Sequence, residues 1–452
     1  MSRPLLTVVL AAGKGTRMRS ALPKVLHRIA GRSMLGHVLA LARSAGGDKL
    51  AVVVGPGMDS VRREALAASA DASVFVQNTQ LGTADAVLAA RAAIAGHAGD
   101  LLVLFADTPL LTPETIGKLR AELDRGAAVA VLGFEAREPG AYGRLVTDAD
   151  GSLVAIREAK DASAAELQIR LCNSGVMAFR LDRPLDVLGK IGNANAKGEY
   201  YLTDAIEIVR AGGGRAAVVV CEEDEVLGVN ARGELAQAEA IWQRRARQRV
   251  MAEGVTLVAP ETVWLSFDTV LGQDVLIEPN VFFGPGVTVE DGAEIKANCH
   301  LEGARIGAGA RIGPFARLRP GALLGREVHV GNFVEVKNVA MGEGAKANHL
   351  SYLGDGSVGA RANIGAGTIF CNYDGFFKHK TEVGEEAFVG SNSALVAPVK
   401  IGAGAYIGSG SVITKDVAAG ALALERSPQD ERPGWAQKFR SMMARRKAAQ
   451  AK

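Results

Sequence analysis

The stretch LGQDVLIEPNVFFGPGVTVEDGAEIKANCHL, residues 271–301, carries a branched or aromatic residue at every sixth position: Leu271, Ile277, Phe283, Val289, Ile295 and Leu301. The rhythm starts at Leu265. After a five-residue step it resumes at Ile306, Ile312, Leu318, Leu324, Val330 and Val336, then runs through Met341, Ala347, Leu353, Val358, Ile364 and Phe370. Residues 372–381 interrupt it with polar and aromatic side chains, and it returns at Val383, Val389, Leu395, Ile401, Ile407 and Ile413. Neither the 3.6-residue turn of an α-helix nor a heptad holds a strict period of six. Hexapeptide repeats predict a parallel β-helix, three repeats to a triangular coil, with the periodic side chains stacked inside and glycines at tight corners. A solenoid serves equally well as a scaffold, so function has to be sought in its irregularities, above all at residues 372–381.

Residues 1–230 have a different texture. Short β-like runs at 5–10, 49–54, 74–76, 101–105 and 129–134 alternate with amphipathic stretches at 34–44, 59–68, 84–95 and 113–123. This alternation predicts a Rossmann-like α/β domain, a mainly parallel sheet with helices on both faces. Ligands of such sheets gather at the carboxyl ends of the strands, which singles out the loops after Leu10 and Phe105. Residues 231–254 are charged, Ala-rich and free of proline, and are expected to form a linker helix to a second domain at 255–452.

Composition narrows the classes. With 452 residues the chain is long enough for two or three domains. Lys and Arg number 52 against 49 Asp and Glu, so no global basic field points to nucleic acid. The basic stretch 438–452 reads as a short solvated helix. Cys172, Cys221, Cys299 and Cys371 form no C-x-x-C pair, which argues against a metal cluster or disulfide framework and for reduced thiols in the cytoplasm. The apolar run 5–12 is too short for a signal peptide or a membrane span, so no membrane insertion is expected.

The first strand is followed by Leu10-Ala11-Ala12-Gly13-Lys14-Gly15-Thr16-Arg17-Met18 and then Leu22-Pro23-Lys24. Small residues allow a nucleotide close to the backbone, successive N–H groups can cradle phosphate, and Arg17 and Lys24 bring positive charge. The G-K-[ST] ending of a P-loop is missing, which removes an ATPase reading. With Pro23-Lys24 the string resembles the signature of the sugar-1-phosphate nucleotidyltransferases. That resemblance implies Leu10, Ala11, Ala12, Gly13 and Lys24 around a nucleotide, with Arg17 and Lys24 as catalytic cations. It implies base recognition by Gln77, Gly82 and Thr83, and sugar contacts from Tyr142-Gly143-Arg144, Glu158 and Asn173. Phe105-Ala106-Asp107 then ends a strand at the metal site, where the family more often has Tyr and Gly at the first two positions. Asp107 and Asn230 are implied as the metal ligands. One carboxylate and one amide oxygen suit Mg²⁺, which neutralises crowded phosphates and otherwise keeps water and phosphate as ligands.

On the repeats, four strings carry a second resemblance: residues 313–321 (GPFARLRPG), 330–337 (VGNFVEVK), 349–355 (HLSYLGD) and 363–375 (NIGAGTIFCNYDG). They resemble the trimeric hexapeptide acyltransferases, whose solenoid is a left-handed β-helix. The order of domains resembles a bifunctional bacterial family that acetylates glucosamine-1-phosphate from acetyl-CoA and then uridylylates the product with UTP. An imidazole suits removal of the amine proton near neutral pH, which makes His349 the candidate base, with Glu335 as its orienting partner. Arg319 and Lys337 are expected on the sugar phosphate, and Tyr352 and Asn363 on the sugar. The resemblance implies Ala366, Asn372, Tyr373, Ser391, Ser409 and Arg426 around acetyl-CoA, with Ser409 where the family often has Ala. His300, His329 and His379 are read as structural. A homotrimer acting on small molecules follows from the resemblance. The competing readings are a monofunctional sugar-1-phosphate nucleotidyltransferase with a regulatory β-helix, and a non-catalytic trimeric scaffold.

Overall fold

The computed structural model describes residues 3–450. It divides into two units, residues up to 249 together with 265–267, and residues 250–264 with 268 onward.

The first unit is built on strands β1 (Leu5–Ala11), β2 (Lys49–Val54), β3 (Ser73–Val76), β4 (Asp100–Phe105), β5 (Val129–Glu135), β6 (Arg144–Thr147), β7 (Leu153–Arg157), β8 (Leu171–Phe179) and β9 (Ala216–Cys221). The main path of the sheet is β9-β5-β8-β4-β1-β2-β3. β1 pairs in parallel with both β2 and β4, and only β8 runs against its neighbours on this path. β6 and β7 form an antiparallel flap beside β8. Alternation along each strand feeds two cores. Leu5, Val9, Val52, Leu102 and Leu104 face one layer, while Leu6, Val8, Val53, Leu101 and Val103 face the other. The chain leaves β1 toward β2 and β3 and returns on the other side as β4, so the loops after β1 and β4 diverge into a crevice.

Two helices begin on a side-chain cap. Ser33 Oγ accepts the N–H of Gly36 at 3.0 Å to start Met34–Ser44, and Thr112 Oγ accepts that of Thr115 at 3.3 Å before Pro113–Asp124. The single helix expected over 84–95 is two, Thr83–Ala89 and Arg91–Ala95, broken at Ala90. Its start depends on Gly82, at φ 121°, where a Cβ would lie 2.5 Å from the Tyr200 carbonyl oxygen. The charged stretch forms the helix Arg232–Ala252. Leu265 opens the six-residue rhythm but lies with the first unit, because Gln243 on that helix accepts its N–H and donates to its carbonyl, at 2.9 and 2.7 Å.

The second unit is a left-handed parallel β-helix. One ladder runs Ile277, Ile295, Ile312, Val330, Ala347, Ile364, Val389, Ile407 in register. Consecutive members are 17 or 18 residues apart except at Ile364–Val389, where the interruption adds a loop between strands Ile369–Cys371 and Thr381–Val383. The ladder residues are buried, and the aromatics on outward positions stack on one another instead, as with Phe315–Phe333 at 5.1 Å and Phe388–Tyr406 at 5.3 Å. All four cysteines are free thiols. Ile295→Ala should cost about 2–5 kcal/mol in urea unfolding because the coil cannot collapse around the void. The outward-facing Arg305→Ala should change stability by no more than about 0.5 kcal/mol.

Candidate functional sites

At the carboxyl end of β1 the chain passes through Ala12 and Gly13 to Gly15, whose φ of 63° starts the turn Thr16–Met18. A Cβ on Gly15 would lie 2.4 Å from the Lys24 Cβ, so the glycine lets the loop and the lysine stem touch. Lys24, in the turn Lys24–Leu26, is only 8 % exposed. Its ammonium donates to Asp107 Oδ2 at 2.5 Å and to Asn230 Oδ1 at 2.9 Å. Asp107 follows β4, and its carbonyl accepts the N–H of Val229 at 2.9 Å, which fixes the approach to Asn230. Glu234, in the first turn of Arg232–Ala252, accepts the N–H groups of Asn230 and Ala231 at 2.5 and 2.8 Å. Three sequence segments more than 80 residues apart thus meet at one cation. A carboxylate and an amide oxygen already gathered on a positive charge are a hard-oxygen pair of the kind Mg²⁺ takes. Among the described residues no group of three or more His, Cys, Asp or Glu is placed to hold a metal, so such an ion would draw its other ligands from phosphate and water. Arg17 lies exposed beside this loop.

Gln77 follows β3 and is buried, its amide donating to Asp85 at 2.8 Å and to the Gly82 carbonyl at 3.1 Å. Thr83 Oγ1 accepts the N–H of Leu202. Gln80, which the sequence reading passed over, donates to the Ala12 carbonyl at 2.7 Å and so bridges this segment to the glycine-rich loop. Next to it a cavity of about 230 Å³ is lined by Thr83, Phe105, Gly143, Glu158, Asn173 and Thr203 among others. Asn173 N–H bonds to the Gly143 carbonyl at 2.8 Å, and burial pushes the Glu158 carboxyl up. Arg144 does not line this cavity. It is buried, and its guanidinium donates to the carbonyls of Pro139, Gly140 and Tyr142, shaping the loop that presents Gly143.

On the β-helix, His349 ends the strand Lys346–His349 with an exposed imidazole. Its orienting partner is not Glu335. Nδ1 of His349 lies 2.8 Å from Asn332 Oδ1, directly across the coil boundary, while Glu335 accepts from Arg319 at 2.8 Å and Arg317 at 3.4 Å. Glu335 sits one strand over, on the ladder shared with Tyr352, and there it raises the Arg319 guanidinium. With Nδ1–H donated to Asn332, Nε2 of His349 keeps a free lone pair.

Lys337 lies 3.8 Å from Asp355, which is buried and accepts from Asn338 at 2.8 Å and Asn372 at 2.5 Å. Burial pushes the Asp355 carboxyl up, but those two amides with Lys337 and Lys378 outweigh it and hold it low. Lys378, another residue the sequence reading missed, comes from the interrupting loop close to Lys337, which pushes the Lys378 ammonium down. The loop is stapled by Asp374, which accepts from His379 at 2.7 Å and from the N–H groups of Phe377 and Phe376. His379 first, and those amides after it, hold its carboxyl at about 2. Tyr373 donates to the Gly375 carbonyl at 2.5 Å. Ala366, Ser391 and Ser409 form a column on successive coils. Asn392 N–H bonds to Ala366, Gly410 N–H to Ser391, and the Arg426 guanidinium caps the Ser409 carbonyl at 2.8 Å. Asn363 lies on the ladder between Lys346 and Phe388.

Both units have counterparts among known proteins. A family model for the MobA-like NTP transferase domain matches residues 7–169, and one for the bacterial transferase hexapeptide (six repeats) matches residues 268–303 and 380–415. The bifunctional protein GlmU of Azorhizobium caulinodans is 62% identical over 439 residues, covering 97% of this chain and 98% of that protein. Those of Xanthobacter autotrophicus and a Bradyrhizobium species are 61% and 59% identical, each covering 98% of this chain and 99% of its own. With such identity sustained from end to end and both structural units matched in order, the chain belongs to the family of bifunctional GlmU proteins.

Proposed function

We propose that the chain makes UDP-N-acetylglucosamine in two consecutive reactions, acetylation on the β-helix (255–452) and uridylyl transfer on the α/β domain (1–230), with 231–254 joining them. In the first, the amine of glucosamine-1-phosphate attacks the thioester carbonyl of acetyl-CoA, and the coenzyme leaves as the thiol. The exposed Nε2 of His349 takes the amine proton while Asn332 holds the ring. Arg319, Lys337 and Lys378 hold the sugar phosphate, with Glu335 fixing Arg319, while Tyr352 and Asn363 hold the sugar. Ala366, Asn372, Tyr373, Ser391, Ser409 and Arg426 receive the coenzyme.

In the second reaction a phosphate oxygen of N-acetylglucosamine-1-phosphate attacks the α-phosphorus of UTP, and pyrophosphate leaves. Leu10, Ala11, Ala12 and Gly13 bring backbone to the nucleotide, Gln77, Gly82 and Thr83 meet the base, and Phe105 and Ala106 line the strand end. Gly143, Glu158 and Asn173 orient the sugar, while Arg17 and Lys24 stabilise charge on the transferring phosphates. Mg²⁺ held by Asp107 and Asn230 would neutralise charge on the triphosphate. The enzyme acts in the cytoplasm as a homotrimer, a reading supported by its hexapeptide repeats and by the absence, among the described residues, of any helix long and apolar enough to cross a membrane.

The carrying observation is the meeting of Lys24, Asp107 and Asn230 in one unit, with the oriented, exposed His349 in the other. Mass spectrometry after incubation with glucosamine-1-phosphate, acetyl-CoA, UTP and Mg²⁺, each omitted in turn, tests the proposal. UDP-N-acetylglucosamine should form only in the complete mixture. Sugar nucleotide made from supplied sugar phosphate without any acetylation would mean a regulatory β-helix. Asp107→Asn should lower uridylyl transfer by about 100-fold or more and spare acetylation. His349→Ala should do the reverse, lowering acetylation by about 100-fold or more. Asn332→Leu should lower acetylation kcat by about 10- to 100-fold through misalignment, with KM little changed, and Asn332→Asp, which still accepts from Nδ1–H, should restore most of it. Equal losses in both activities from any of these would refute two independent sites.

A further inference from the structure

The Lys24 ammonium sits between the two oxygens that a metal would take. Its nitrogen is 2.5 Å from Asp107 Oδ2 and 2.9 Å from Asn230 Oδ1, the two oxygens read above as metal ligands. Mg²⁺ binds oxygen at about 2.0–2.1 Å, so an ion bonded to both would share the space of that nitrogen. The single negative charge of Asp107 cannot balance both an ammonium and a divalent ion held against it, least of all where the lysine side chain is 9% and the aspartate side chain 24% exposed. We infer that Lys24 is the resident cation of the Asp107–Asn230 site in the nucleotide-free protein, and that divalent metal enters only as triphosphate draws this ammonium away. The inference rests on the proposed assignment of Asp107 and Asn230.

The surroundings give the lysine a reason to leave. Its stem packs against Gly15, so phosphates settling on the glycine-rich loop arrive beside it. Released from Asp107, the ammonium needs another anion, and the triphosphate supplies one. The vacated pair offers one carboxylate and one amide oxygen, and phosphate oxygens complete the shell of the incoming ion. Lys24 and the metal thus exchange rather than add, which makes metal affinity conditional on nucleotide.

The probe is Mn²⁺ alone, its free concentration read by electron paramagnetic resonance in the full-length protein, with and without UTP. Without UTP, Lys24→Met should bind Mn²⁺ about tenfold tighter than the unaltered protein, within the range usual for coupled sites. The gain should vanish in Lys24→Met/Asp107→Asn, and Lys24→Gln should repeat it, with thermal unfolding checking that each variant is folded. UTP should tighten Mn²⁺ binding far more in the unaltered protein than in Lys24→Met. Nucleotide-free affinity in folded Lys24→Met and Lys24→Gln that is equal to or weaker than the original overturns the inference. Unchanged Mn²⁺ binding of the UTP complex in Asp107→Asn overturns instead the assignment of the metal pair.

Discussion

The second unit depends on one constraint, that each coil must return its inward side chain onto that of the coil before it, 17 or 18 residues back wherever no loop intervenes. Each inward Ile, Val or Leu relies on its neighbours above and below for cover, so a single coil cannot complete its own core and the stack is stable only as a stack. The constraint extends outward, because a backbone that repeats this strictly also repeats its surface. Side chains one coil apart face each other at a fixed separation. His349 and Asn332, Asp355 and Asn338, and Asn372 and Asp355 are all 17 residues apart and all hydrogen-bonded. The hydrophobic register that holds the solenoid together therefore also holds the imidazole and the buried carboxylate in place.

The first unit reaches precision by another route. No repeat brings Lys24, Asp107 and Asn230 together. The crevice where the chain reverses direction across the sheet gathers the loops after β1 and β4, and the entry to the helix Arg232–Ala252 completes the set. What closes this cluster is charge, a lysine shared between a carboxylate and an amide oxygen, with Glu234 and the Asp107 carbonyl fixing the backbone around Asn230.

The period of six made the solenoid legible down to its interrupted coil, because a buried ladder leaves no freedom at the inward positions. The strand ends of the α/β unit were legible for a similar reason: apolar runs such as Leu101–Leu104 are buried on both faces. Less was visible where contacts cross between segments with no shared period. The break at Ala90 is such a case, since nothing in the Ala-rich stretch marks it, and the reversal of β8 is another. Of the site residues, Glu335 pairs with Arg319 and Arg317 and not with His349, because coil register decides which side chains meet. The 17-residue step already present in the aliphatic ladder would have pointed from His349 to Asn332. Gln80 and Lys378 carried no such signal, as one reaches a backbone carbonyl and the other comes from the loop that breaks the repeat.

The two clusters differ in what they need before chemistry can begin. On the β-helix the imidazole is already oriented, its Nε2 open, and Lys337 stands close enough to Lys378 to disfavour the charge on Lys378. Such a pair of ammonium groups gains from an incoming dianion, which suits the sugar phosphate proposed for it. In the α/β unit the opposite holds. Lys24 is satisfied by Asp107 and Asn230, and its charge does not wait for the substrate. A cluster neutralised internally resists stray cations and anions alike, and it opens only to a ligand that offers an anion for the lysine and brings a cation for the carboxylate together. A metal-bound nucleoside triphosphate has both. The selectivity of that site is then set by the exchange of partners, and not by the two oxygen ligands alone.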